Sequence, residues 1–158
     1  MKRLGLFVDV SNLYYCISKK YKNKKLDYKK LVDYCKDLGE IQQSTAYGAQ
    51  IKNEAAAFIH CLKGLGFNIK YKQPKIYENM RKADWDVGIA IDIVRDLVDL
   101  DMIILATADG DMAPVIQYAK EKGKQVVVIG SNISHELQNI VTKYIEIPES
   151  LVIPLGRK

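Results

Sequence analysis

Aspartates are the residues of this chain whose placement could do chemistry. Six of them fall in three short segments: Asp9 in LGLFVDVSN, Asp84, Asp86 and Asp92 in KADWDVGIAID, and Asp109 and Asp111 in MIILATADGDM. Asp84 stands just ahead of Asp86. Carboxylates packed together repel one another and raise each other's pKa, so a cluster of this kind is normally stabilised by divalent cations. Hard oxygen donors without a His or Cys set favour Mg²⁺ or Mn²⁺ over zinc. Ions held this way bind a scissile phosphate, lower the pKa of an attacking water and stabilise the leaving oxygen. The residue types therefore point to hydrolysis of a phosphodiester.

Three distant segments can share a site only if the fold brings them to one edge. Short β-branched runs alternate with stretches of helical period, the pattern of an α/β chain with a mainly parallel sheet flanked by helices. Leu4 to Val10 reads as a buried first strand, Thr45 to Ile51, Met102 to Thr107 and Gln125 to Ile129 as further strands, and Tyr144 to Ile147 as a short last one. Phe67 to Lys72 alternates apolar with polar residues as an edge strand does, ending at Pro74. Helices are expected from Asn12 to Tyr21, Tyr28 to Leu38, Asn53 (an N-cap) to Lys63, Asp86 to Asp99, Met112 to Lys122 and Ser134 to Val141. Residues 75–83 read as a loop and the tail from Pro148 as peripheral. In such a sheet the carboxyl ends of the strands share one edge with the N-termini of the following helices, and ligands bind there. Asp9, Asp86, Asp109 and Asp111 all fall on that edge.

Simpler roles compete for some of these acids. Asp111, ahead of Met112, Ala113 and Pro114, and Asp86 are both good N-caps. Asp92 shares a stripe with Asp96 and Asp99 that by itself reads as a solvated face. Asp9 is different, because a carboxylate at the mouth of a buried apolar strand is costly without a partner or an ion.

The chain has 158 residues, 48% of them apolar, which suits a single core. Its net charge of +5 hides an asymmetry: residues 1–82 carry a local +10, residues 83–111 a local −7. A basic surface beside one acidic stretch suits a polyanionic partner and an ion-neutralised site. No apolar run has the length of a membrane span, and no signal peptide is evident, so a soluble, cytoplasmic protein is expected. Cys16, Cys35 and Cys61 lack disulfide or zinc spacing and read as free thiols.

Taken jointly, FVDVSN, KADWDVGIAID and ILATADGDM followed by a helix and QVVVIG resemble the NYN domain, a branch of the PIN-like nuclease superfamily, in its LabA-like group. The resemblance covers residues 3–147 and implies a three-layer PIN-like (Rossmann-like) fold over 1–147, with 148–158 as a C-terminal tail. It implies a Mg²⁺- or Mn²⁺-dependent endoribonuclease leaving a 5′-phosphate. Asp9, Asp92, Asp109 and Asp111 would be metal ligands, Asp86 would join them in catalysis directly or through water, and Asn12 and Thr107 would orient the acids or the phosphate. Thr107 stands where serine is usual and Met112 where phenylalanine is usual; neither change removes a carboxylate.

RNA, single-stranded or structured, is the expected partner. KKYKNKKLDYKK, residues 19–30, interleaves seven lysines with Tyr21 and Tyr28; Lys19, Lys20, Lys22, Lys24 and Lys25 are candidates for phosphate contact, and the tyrosines for base stacking. A second basic group, Lys70, Lys72, Lys75, Arg81 and Lys82, precedes the acidic helix. Tyr47 and Trp85 read as packing residues, and His60 and His135 as structural. The apolar edge segments allow a homodimer. The competing function is a catalytically weak or inactive RNA-binding module of the same fold. A haloacid-dehalogenase-type phosphatase is disfavoured because Ser11 stands where its second acid is expected.

Overall fold

The computed structural model describes residues 1–49, 55–72, 75–77, 80–82 and 85–155. In chain order the elements are β1 (Arg3–Asp9), α1 (Val10–Lys20), β2 (Lys24–Leu26), α2 (Tyr28–Lys36), β3 (Glu40–Ala49), α3 (Ala55–Gly64), β4 (Asn68–Lys72), β5 (Lys75–Tyr77), β6 (Met80–Lys82) and α4 (Asp86–Asp96). They continue with β7 (Met102–Ala106), α5 (Ala113–Glu121), β8 (Gln125–Gly130), α6 (His135–Ile140), β9 (Lys143–Glu146) and β10 (Val152–Pro154). No helix among the described residues is long and apolar enough to cross a membrane.

Six strands form the central sheet in the order β4-β3-β1-β7-β8-β9, and each neighbouring pair is parallel. Parallel strands buried on both faces need near-continuous apolar sequence, which is why β7 is MIILA, buried throughout. Side chains alternate between the faces. Leu4, Leu6 and Val8 pack with Ile104 and Val127 under α1, α2 and α3, through Leu13, Ile17, Leu31 and Leu62. Phe7 packs with Ile103, Leu105 and Val128 under α4, α5 and α6, through Ile89, Ile93, Ile116 and Leu137. The result is the three-layer α/β architecture expected from the alternation of elements.

The strand order places the site. From β1 the chain moves outward through β3 to β4, then returns to β7 on the other side of β1 and moves outward again through β8 to β9. The order reverses between β1 and β7, and the crevice outside their carboxyl ends is the ligand position of open parallel sheets. The register runs from Leu4 opposite Met102 to Val8 opposite Ala106, so Asp9 and Thr107 follow directly on neighbouring strand ends. On the far side of β7, a Cβ on Gly130 would lie 2.8 Å from the Thr107 carbonyl oxygen. The bare glycine lets β8 approach the end of β7.

Four expectations need correction. Residues 75–77 and 80–82, expected in a loop, pair as antiparallel strands, Lys75 with Lys82 and Tyr77 with Met80. The lysine-rich connection contains β2, which pairs antiparallel with β10. The tail from Pro148 is consequently not peripheral: Leu151 and Val152 are buried with Leu26 in the core, and the Tyr21 hydroxyl donates to the Ile147 carbonyl at 2.9 Å. β3 starts at Glu40, five residues before the expected strand. The expected N-cap Asn53, together with Ile51, Pro74 and Asp84, lies outside the described residues.

Candidate metal centre

Asp9 ends β1 with extended backbone and caps α1: its Oδ1 accepts the Asn12 N–H at 3.1 Å. It is only 8% exposed. Asn12, in the first turn of α1, accepts the Ala108 N–H through its own Oδ1 at 2.9 Å. That bond ties the end of β1 to the segment leaving β7. Thr107 is fully buried, and its hydroxyl accepts the Asp109 N–H at 3.3 Å. Asn12 and Thr107 thus hold the loop that carries the acids, with Thr107 lying beneath it.

Asp109 caps the 3-10 turn Gly110–Met112, its Oδ1 accepting the Asp111 N–H at 2.9 Å. Asp111 lies inside that turn, and the residue capping α5 is Met112, with no side-chain bond. Asp86 likewise sits in the first turn of α4, whose cap position is Trp85. N-capping therefore accounts for neither Asp86 nor Asp111. What their placement does achieve is proximity: one carboxylate oxygen from each of Asp86, Asp109 and Asp111 lies within 4.8 Å of the others. Three hard oxygen donors with no His or Cys among them suit Mg²⁺ or Mn²⁺. The N-termini of α4 and α5 meet here because both helices begin at the carboxyl edge of the sheet.

Asp9 is outside that trio of atoms, on the neighbouring strand end. The Cys16 thiol stands near both sides of the crevice: burial pushes its pKa up, and Asp9, Glu146 and Asp109 add to the shift against the opposing pull of Lys19. It remains a protonated thiol, a poor ligand, and donates weakly to Asn12 Oδ1 at 3.8 Å.

Asp92 is engaged elsewhere. It is buried, not on a solvated face, and its Oδ2 receives both the Tyr47 hydroxyl and Lys70 Nζ at 2.7 Å, while Arg95 stands 3.7 Å from Oδ1. Burial alone would raise its pKa; the bonds from Lys70 and Tyr47 and the charges of Lys70 and Arg95 outweigh that and hold it below the usual carboxylate value. The contacts fasten α4 to β3 and β4. Sequence reading placed Tyr47 in the packing and Lys70 in a basic group, and missed the partnership because its members are 22 and 45 residues from Asp92. Trp85, just before Asp86, donates to the Gly48 carbonyl at 2.8 Å and packs its ring against Tyr47 with centroids 5.5 Å apart.

A cleft of about 470 Å³ lies beside the crevice, lined by Tyr15, Cys16, Lys19, Lys20, Asn132 and Glu146. Lys19 Nζ sits 4.3 Å over the Tyr15 ring, and Lys20 pairs with Glu146 at 2.9 Å. Glu146, missed from the sequence, also accepts the Asn132 N–H. Lys22 is exposed, whereas Lys24 and Lys25 are half-buried in β2. Lys72, Lys75, Arg81 and Lys82 have their backbones in β4, β5 and β6, but their side chains lie outside what is described.

The profile of the NYN domain matches residues 3–148. Over 157 residues the chain is 26% identical to the low amplitude and bright protein LabA of Synechococcus elongatus, covering 92% of this chain and 83% of LabA. Over 152 residues it is 32% identical to the uncharacterised protein MJ0482 of Methanocaldococcus jannaschii, covering 93% of this chain and 56% of that longer relative. Among solved structures it is similar to a protein of unknown function, VPA0982, from Vibrio parahaemolyticus, with a TM-score of 0.88, 26% identity and 96% of both chains covered.

Proposed function

Since the chain belongs to the NYN domain family, within the PIN-like nuclease superfamily, we propose that it is a Mg²⁺- or Mn²⁺-dependent endoribonuclease working in the crevice between β1 and β7. The observation that carries the reading is the convergence of Asp86, Asp109 and Asp111 within 4.8 Å at the switch point of the sheet. A bound divalent ion supplies positive charge to the scissile phosphate and a lowered pKa to the attacking water. The chain supplies the rest. Asp86, Asp109 and Asp111 hold the ion, with Asp9 adding negative charge from the neighbouring strand end. Asn12 and Thr107 fix the loop so that the carboxylates are preorganised rather than gathered at the moment of reaction. Asp92, whose carboxylate is already held by Tyr47, Lys70 and Arg95, acts as a positioning residue for α4. Tyr15, Lys19 and Lys20 border the crevice and contact the phosphates and bases of the strand.

The test is cleavage of labelled RNA by the purified chain. Mn²⁺ or Mg²⁺ should support cleavage, and EDTA or Asp109→Asn should abolish it while the circular dichroism spectrum is unchanged. Cleavage that survives both treatments sinks the metal-centre reading. Salt-sensitive RNA binding without cleavage under any metal assigns the chain instead to the binding class.

A further inference from the structure

A groove of about 610 Å³ runs from the acids between α4 and α5. Asp86 and Asp111, two of the three clustered acids, are among its lining residues. Beyond them the α4 wall is apolar: Val87, Ile91 and Val94, spaced i, i+4, i+7, are 72%, 49% and 47% exposed. Tyr118, on α5, contributes a ring that is 38% exposed. Such a run of exposed apolar side chains on one helix is unusual and marks a contact surface. At the far end is Arg95, nine residues and so about 13 Å along α4 from Asp86. Its guanidinium is 69% exposed and stands 3.7 Å from Asp92, whose other oxygen is held by Lys70.

A ligand complementary to this groove carries an anionic group at the acids, where a cation would meet it, a flat apolar body in the middle and a second anionic group near Arg95. Resting on the nuclease reading above, we propose that the groove seats an unpaired nucleobase of the RNA strand beside the scissile phosphate, with Tyr118 stacking on the base and Arg95 facing a phosphate further along. A base held in a duplex cannot enter, so the groove selects single-stranded RNA. A second copy of the chain is the poorer occupant, because a helix laid along the groove would also cover Asp86 and Asp111.

The test measures binding of a fluorescently labelled single-stranded RNA by anisotropy, at fixed salt, with the unsubstituted acids and with Ca²⁺ in place of Mg²⁺ so that the strand is held without being cut. A set of the same RNA with an abasic ribose at each position in turn maps the base contacts. One abasic position should weaken binding about tenfold, Tyr118→Ala should weaken the intact RNA by a similar factor, and the two losses should not add. Tyr118→Phe should retain binding, and the duplex form of the RNA should bind at least tenfold more weakly. Equal effects at every abasic position, or full binding by Tyr118→Ala, overturn the proposal, as does an absence of RNA binding. A parent protein that is dimeric by light scattering and becomes monomeric on Val94→Asp overturns it in favour of a second copy. Cleavage by the unsubstituted chain is read separately: its absence with the binding pattern intact removes the nuclease reading and leaves the base-binding groove standing.

Discussion

The Asn12 side chain accepts the backbone N–H of Ala108 across the ends of β1 and β7, at 2.9 Å and 96 residues apart in sequence. One amide thereby links the helix capped by Asp9 to the loop that carries Asp109. Replacing Asn12 with Ala leaves the Ala108 N–H without this acceptor. The expected cost is about 1–2 kcal/mol of stability, read by urea denaturation. Cleavage should fall more than the stability loss explains, because the loop also positions the acids. Unchanged cleavage by Asn12→Ala would remove Asn12 from the machinery.

The three converging carboxylates trade stability for chemistry. Each pair repels by on the order of 1 kcal/mol at a water-exposed surface and low salt. Asp109→Asn or Asp111→Asn should therefore raise the melting temperature of the metal-free protein by a few degrees at most. The same substitutions should abolish the further rise that saturating Mn²⁺ gives the parent chain by mass action. Differential scanning fluorimetry with and without Mn²⁺ makes the comparison, and a lower melting temperature for both metal-free variants would contradict it.

Acid should weaken the attachment of α4. The folded pKa of Asp92 is depressed, so its contribution is complete above the unfolded value of about 4 and is lost as pH falls through the lower folded value. Glu146, also depressed by Asn132 and Lys20 against the opposing effect of burial, acts in the same direction. Asp92→Asn should cost roughly 1–3 kcal/mol at neutral pH and flatten the stability curve below about pH 4. Equally steep acid denaturation in parent and variant would show that Asp92 does not control it.

Salt dependence should separate the two lysines of the cleft. Lys20 is paired with Glu146, whereas Lys19 lies over Tyr15. Lys19→Ala should reduce the slope of log affinity against log salt for single-stranded RNA by about 0.7, and Lys20→Ala should reduce it by less. Titrations at several salt concentrations give both slopes.

The C-terminal segment should behave as core. Leu151 is buried beside Leu26, so Leu151→Ala should cost about 2–4 kcal/mol. A loss below about 0.5 kcal/mol in denaturant melts would restore a peripheral role.

The parallel sheet and its flanking helices were legible because each buried strand is an unbroken apolar run and each helix keeps its period. MIILA and QVVVIG could pack in few other ways. Asp9, Asp109 and Asp111 were legible as a strand-end pattern, since position after a strand is a local property. Asp92 was not: its burial depends on Tyr47 and Lys70, brought to it by β3 and β4, and helical spacing alone placed it on a solvated face. β2 and β10 were missed for a similar reason. Three-residue strands carry almost no period, and each is stabilised by a partner more than a hundred residues away, which local propensity cannot register.

Trp85 is the only tryptophan in the chain, and it is adjacent to Asp86, with its indole fixed by Gly48 and Tyr47. The protein therefore carries a built-in optical probe at its acidic crevice. Emission excited selectively in the indole should respond to paramagnetic Mn²⁺ arriving at Asp86, giving occupancy without any label and before a nucleic acid is added.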